Sequence, residues 1–103
     1  MNEARYGATA PGTVVLEIGG QTGALILCTP ADLAGREIDI SPGSEPTRRR
    51  HACVRPRDGS GGTGHAAIYD RLAPGTYTIW RDRSTPAGTT TITAGQVTTC
   101  HWP

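Results

Sequence analysis

Two linked stretches constrain this chain more than any others: Leu72-Ala73-Pro74-Gly75-Thr76-Tyr77-Thr78-Ile79-Trp80 and Thr89-Thr90-Thr91-Ile92-Thr93-Ala94-Gly95-Gln96-Val97. Proline fixes φ and glycine accepts positive φ, so Pro74-Gly75 predicts a tight turn. The residues beyond it are β-branched and aromatic, and they alternate as a pleated, half-buried surface requires. The pattern predicts a hairpin strand starting at Thr76, a second strand closed by Ala94-Gly95, and a third strand after it. Alternation sets Tyr77 and Ile79 on one face and Thr76, Thr78 and Trp80 on the other.

The same reading extends along the chain. Runs of strand character occupy Thr13 to Ile18, Ala24 to Thr29, Arg36 to Ser41, Arg49 to Arg57, His65 to Asp70, Thr76 to Arg81, Thr89 to Ala94 and Gln96 to Trp102. The first two flank Gly19-Gly20-Gln21-Thr22-Gly23 and read as a hairpin; the second is apolar on both faces, as a central strand is. Ala31 to Gly35 has room for one helical turn. Asp58 to Gly64 is a glycine-rich hairpin loop. Short strands separated by Gly and Pro, without a substantial helix, predict an all-β fold: an antiparallel two-sheet β-sandwich of about seven or eight strands, with a small barrel as the alternative. At 103 residues the chain holds one domain, residues 13–103, preceded by a flexible segment, residues 1–12.

Four Val, seven Ile and five Leu, with two Trp, three Tyr and no Phe, make a thin core. All ten basic residues are Arg, and nine acids nearly balance them. That balance argues against a DNA-coating protein or a polybasic membrane anchor, but leaves room for a local patch. The opening residues carry no signal-peptide core, and no run is long enough to span a membrane, so a cytoplasmic protein without membrane insertion is expected. Three cysteines, an odd number, suit a reducing compartment.

Ile68-Tyr69-Asp70-Arg71-Leu72-Ala73-Pro74-Gly75-Thr76-Tyr77-Thr78-Ile79 resembles the aromatic, Leu, Pro-Gly and Tyr pattern of prealbumin-like sandwiches, including carboxypeptidase regulatory-like and collagen-adhesin B-type repeats. The resemblance covers about the C-terminal third of the chain and implies a non-catalytic β-sandwich used for interaction or support. The chain as a whole also resembles short actinobacterial proteins of uncharacterised function.

Three groups of residues carry candidate chemistry. Arg48, Arg49, Arg50, Arg55 and Arg57 have no acid among them and form an anion-pairing run. Nucleic acid is a poor match without a net basic excess; an anionic protein surface fits better. With inward Ala52 and Val54, residues His51, Cys53 and Arg55 share the outward face. Trp80 and Trp102 fall outside the main core by parity, Trp102 because it opposes Val97, and an exposed Trp-Arg surface has the composition of an interface; capping the end of the sandwich is the alternative. The expected role is thus a non-catalytic module or accessory subunit binding a larger protein partner or a second copy, without a cofactor. The alternative is a zinc or copper protein using His51 and Cys53 with Cys100 or His101, since sulfur and imidazole suit those ions. No enzyme is expected: the serines lack a nucleophile-elbow context, and Gly59 to Gly64 lacks the Lys-Ser/Thr ending of a phosphate loop.

Overall fold

Strand β1, Gly23–Thr29, is a central strand of its sheet and is buried on both faces from Gly23 to Leu27. The computed structural model describes residues 20–59 and 62–103, so the expected Thr13-to-Ile18 strand, its hairpin and the flexible segment 1–12 lie outside the described residues. After β1 a 3-10 turn at Ala31–Leu33 occupies the place foreseen for one helical turn, and β2 follows at Glu37–Pro42. Then come β3 (Arg50–Cys53), β4 (Arg55–Gly59), β5 (Gly62–Leu72), β6 (Gly75–Trp80), β7 (Pro86–Ile92) and β8 (Val97–His101). They form two four-stranded sheets, ordered β4-β5-β1-β8 and β3-β2-β6-β7. The protein is an all-β, two-sheet sandwich.

The core lies between the sheets. Leu25 and Leu27 of β1, with Ala67 and Tyr69 of β5, meet Ile38 and Ile40 of β2, Tyr77 and Ile79 of β6, and Ile92 of β7. Each of these pairs is two residues apart on its strand, as one buried face of a pleated strand demands. Tyr69 spans the two layers: its hydroxyl donates to the Ile38 carbonyl oxygen at 2.6 Å. A buried phenol needs such a partner.

Four expectations require correction. The Arg49-to-Arg57 run is not one strand. It divides at Val54, whose side chain is buried and whose backbone leaves both sheets to pair with the turn before β2, donating to the Arg36 carbonyl at 2.8 Å and accepting from Gly35 N–H at 2.8 Å. β3 and β4 therefore lie at the edges of different sheets, and Pro56, lacking an N–H, suits such an edge. Pro74-Gly75 does not close a hairpin either, because β5 and β6 belong to different sheets. The turn carries the chain between layers. Gly75 adopts φ 140 there, a region closed to most side chains, and the Tyr77 hydroxyl fastens the crossover by donating to the Ala73 carbonyl at 2.8 Å. Ala94-Gly95 makes a similar crossover, delivering β8 alongside β1 in parallel, so the pairing is not wholly antiparallel.

The fourth correction concerns β8. Its parity is the reverse of the expected one: Cys100 pairs with inward-facing Leu27, which leaves Val97 42% exposed and turns Trp102 against the core. An exposed valine at the start of an edge strand costs less than an exposed indole, and burial follows the larger apolar area.

The β7–β8 crossover packs on the first residue of β1. A Cβ at Gly23 would stand 2.5 Å from the Thr93 carbonyl oxygen and 2.8 Å from Ile92 Cγ2. The first of these is backbone and cannot swing away. Gly23→Ala is expected to lower the unfolding free energy by about 3 kcal/mol, read as a lower urea midpoint at unchanged m-value.

Candidate functional site

The arginines expected to act together are divided by the fold. Arg55 and Arg57 lie on β4, at the edge of the β4-β5-β1-β8 sheet. Arg48, Arg49 and Arg50 enter the other sheet through β3. At that end of the sandwich, where β2 and β5 finish and β3 and β6 begin, an open cleft of about 430 Å³ is lined by Pro42, Arg48, Arg49, Arg50, Arg71, Leu72, Ala73 and Tyr77. Four of its eight lining residues are arginines and none is acidic.

Each arginine is placed by a different local cause. Arg49 has the parity of Asp39 and Ser41 and lies over the outer face of the β2-β6 pair. Its Nε donates to the Pro46 carbonyl at 2.9 Å, and Nη1 donates to Asp39 Oδ2 at 3.3 Å and to the Asp82 carbonyl at 3.5 Å. Nη2 donates to the Arg83 carbonyl. The guanidinium carbon stands 4.1 Å from the centroid of the Trp80 ring, a cation–π contact. Arg50 has the opposite parity, paired with Ile40. It reaches across to the other sheet, where Nη2 donates to the Asp70 carbonyl at 3.0 Å and lies 3.8 Å from Asp70 Oδ1. Arg48 is exposed in the preceding loop and has no hydrogen-bond or ion-pair partner among the described residues. Arg71 belongs to a bulge in β5, where Asp70 and Arg71 together face Ala24 of β1.

Trp80 is not the exposed residue its parity suggested. It does lie opposite Tyr77 and Ile79, yet only 7% of it is accessible. The loop after β2 and the turn after β6 close over this outer face, with Arg49 linking the two. Beneath them Trp80 Nε1–H donates to Ser41 Oγ at 2.9 Å, and Ser41 is wholly buried. Thr78 Oγ1 donates to the Gly43 carbonyl, fixing the loop from below. The turn is held by Asp82, whose Oδ1 accepts from the backbone N–H of Ser84 and of Thr85, each at 2.9 Å. The Ser84 amide, then the Thr85 hydrogen bonds, hold this carboxyl below the usual carboxylate range. Trp80 and Arg49 are thus bonded to this chain and offer little to a partner.

Trp102 is half-buried. Its backbone N–H extends the β1-β8 ladder by donating to the Cys28 carbonyl at 2.8 Å, and Arg81 covers its ring at 5.5 Å.

The four candidate metal ligands lie in two places. His51 and Cys53 are on β3, with His51 Nδ1 3.9 Å from Asp39 Oδ1; Cys100 and His101 are on β8 in the other sheet. On β8 the two alternate, Cys100 inward with Leu27 and His101 outward beside Cys28. Burial pushes the Cys100 thiol up, away from the thiolate a metal needs. Cys28, which sequence reasoning passed over, lines a second cleft of about 280 Å³ with His101, Thr29, Pro30 and Trp102. Among the described residues no group of three or more His, Cys, Asp and Glu side chains is gathered to hold a metal ion.

The fold and this end of it define a class, a two-sheet β-sandwich with an arginine-lined cleft between its layers. No protein-family model, no curated protein and no solved structure matches the chain. Among the described residues no helix is long and apolar enough to cross a membrane.

Proposed function

We propose that this protein is a non-catalytic interaction module, an accessory subunit that binds a larger protein partner through an anionic segment seated in the arginine cleft. The supporting observation is the charge of the lining: Arg48 without a hydrogen-bond or ion-pair partner among the described residues, Arg50 committing a single nitrogen to Asp70, and no acid among the lining residues. Such a surface steers an acidic partner and pairs its oxygens. The reading narrows the contact surface to the cleft arginines and sets Trp80, Arg55 and Arg57 outside it. The likeness of Ile68 to Ile79 to prealbumin-like sandwiches, and a cytoplasmic location, belong to the same proposal.

The test is capture from an extract of the native cells, comparing wild type with Arg48→Glu/Arg50→Glu and with Arg55→Glu. The proteins recovered by wild type are expected to fall about tenfold with the double variant, as loss and reversal of interface charge predicts, and to persist with Arg55→Glu. Recovery of the same proteins by all three chains counts against the reading. A melting temperature shared by the variants excludes unfolding as the cause.

A further inference from the structure

Three arginines reach the cleft from two segments of the chain: Arg48 and Arg50 from the end of the loop after β2 and the first residue of β3, and Arg71 from the bulge of β5. Arg71 stands at φ 55, the sole non-glycine with positive φ among the described residues. A long side chain rarely enters that region, whereas Gly and Asn do so readily. Strained backbone concentrates where a side chain serves a site, and a bulge re-aims the side chain it carries.

The lining also selects among anions. A carboxylate is planar and is matched by one guanidinium fork. Three guanidiniums, two from the Arg48–Arg50 segment and one from β5, match a tetrahedral group with three terminal oxygens and close to two negative charges. Pro42, Leu72, Ala73 and the Tyr77 ring supply apolar atoms beside them for the carbon skeleton that carries such a group. The field is felt locally: burial pushes the Tyr77 phenol up, and the charges of Arg50 and then Arg48 act against that rise.

We propose that the cleft binds a phosphomonoester dianion carried on a side chain of the protein partner, a phosphorylated serine, threonine or tyrosine. This rests on the reading of the chain as an interaction module and names what that module recognises. Arg48, Arg50 and Arg71 pair with the phosphoryl oxygens. Arg49 holds the loop that presents Arg48 and Arg50.

Phenyl phosphate and phenyl sulfate, alike in shape and different in charge, are titrated at constant ionic strength into the full-length 15N-labelled protein and followed by two-dimensional NMR. Saturable shifts are expected at residues 48–50, 71–73 and 77, with phenyl phosphate bound roughly tenfold more tightly near neutral pH. That advantage shrinks below about pH 6, where the phosphomonoester takes up its second proton; the arginines do not titrate. Arg71→Gly, whose backbone suits φ 55, keeps a cooperative thermal melt and the wild-type NMR pattern away from the cleft and loses about tenfold in phenyl phosphate affinity, whereas Arg55→Gln on β4 leaves that affinity unchanged. Equal affinity for the two ligands, a flat pH profile, shifts elsewhere, or full affinity in Arg71→Gly would overturn the proposal. Phosphatase treatment of the native extract is expected to abolish arginine-dependent capture. Capture that needs Arg48 and Arg50 yet survives phosphatase overturns the phosphomonoester and leaves the interaction module standing.

Discussion

Trp80→Ala is expected to lower the unfolding free energy by about 4 kcal/mol, within the usual range for truncating a buried aromatic. Three losses combine. The indole vacates a site of which only 7% was accessible, Ser41 Oγ loses its donor inside a wholly buried residue, and Arg49 loses the ring beneath its guanidinium. The covering loop and turn then lose the contact that holds them down. Trp80→Phe retains the ring and forfeits the hydrogen bond, so about 1–2 kcal/mol is expected. Arg49→Lys separates charge from geometry: an ammonium cannot reach Asp39, the Pro46, Asp82 and Arg83 carbonyls and the ring face together. It should cost about 1–2 kcal/mol despite its conserved charge. Denaturant melts of Trp80→Ala, Arg49→Ala and the double variant measure the Arg49–Trp80 coupling, expected at about 1 kcal/mol. Additive single effects would show that the stacked pair contributes nothing beyond its separate parts.

That tryptophan also marks how far alternation carries. Residue parity along β6 placed Tyr77 and Ile79 inward and Trp80 opposite them, and the structure agrees. Parity says nothing about what covers the opposite face. The cover over Trp80 comes from residues 43–49 and 81–85, held by Arg49 donors whose acceptors lie 33 and 34 positions away in the chain. Strand eight failed for a related reason. Its faces were anchored on Val97 as the inward residue, but an edge strand leaves the choice between Val97 and Trp102 to the opposing layer, and the larger ring took the buried place.

The candidate site was legible in part. The Arg48-Arg49-Arg50 run is visible in the sequence and does reach a cleft. Its extension to Arg55 and Arg57 failed at Val54, where a buried valine moves the chain from one sheet to the other while the alternation of residue types continues unbroken. Arg71 was missed because its contribution arises from a bulge, a difference in residue count between β5 and β1 that no single strand displays. The combination of a charged residue with an approaching Pro-Gly crossover is the local signal that could have drawn attention to it. The parallel β1-β8 pair was equally hidden, since it depends on where the Ala94-Gly95 crossover sets the chain down.

Tyr69 is where the two sheets are tied most directly, and its replacement tests the sandwich itself. Tyr69→Ala removes one of the largest fully buried side chains from the middle of the core, for an expected loss of about 4 kcal/mol. Tyr69→Phe preserves the ring and removes the hydroxyl that stood 2.6 Å from the Ile38 carbonyl; because Ile38 still pairs with Ala52 in the β2-β3 ladder, about 1 kcal/mol is expected for the lost bond. The phenylalanine variant also carries a signature in pH. Burial, then the negative charges of Asp39 and Cys100, raise the Tyr69 phenol above its usual value near 10. A folded state that resists ionisation loses stability relative to an unfolded chain that ionises freely, so the contribution is complete below pH 10 and declines as the pH rises beyond it. Tyr77, raised in the same direction by burial, adds to the decline. Wild-type urea midpoints are therefore expected to fall between about pH 10 and 12, and those of Tyr69→Phe to fall less steeply while starting lower. Parallel curves for the two proteins would mean that Tyr69 ionises as readily in the folded chain as in the unfolded one, and equal midpoints below pH 10 would mean that the bond to Ile38 does not tie the layers.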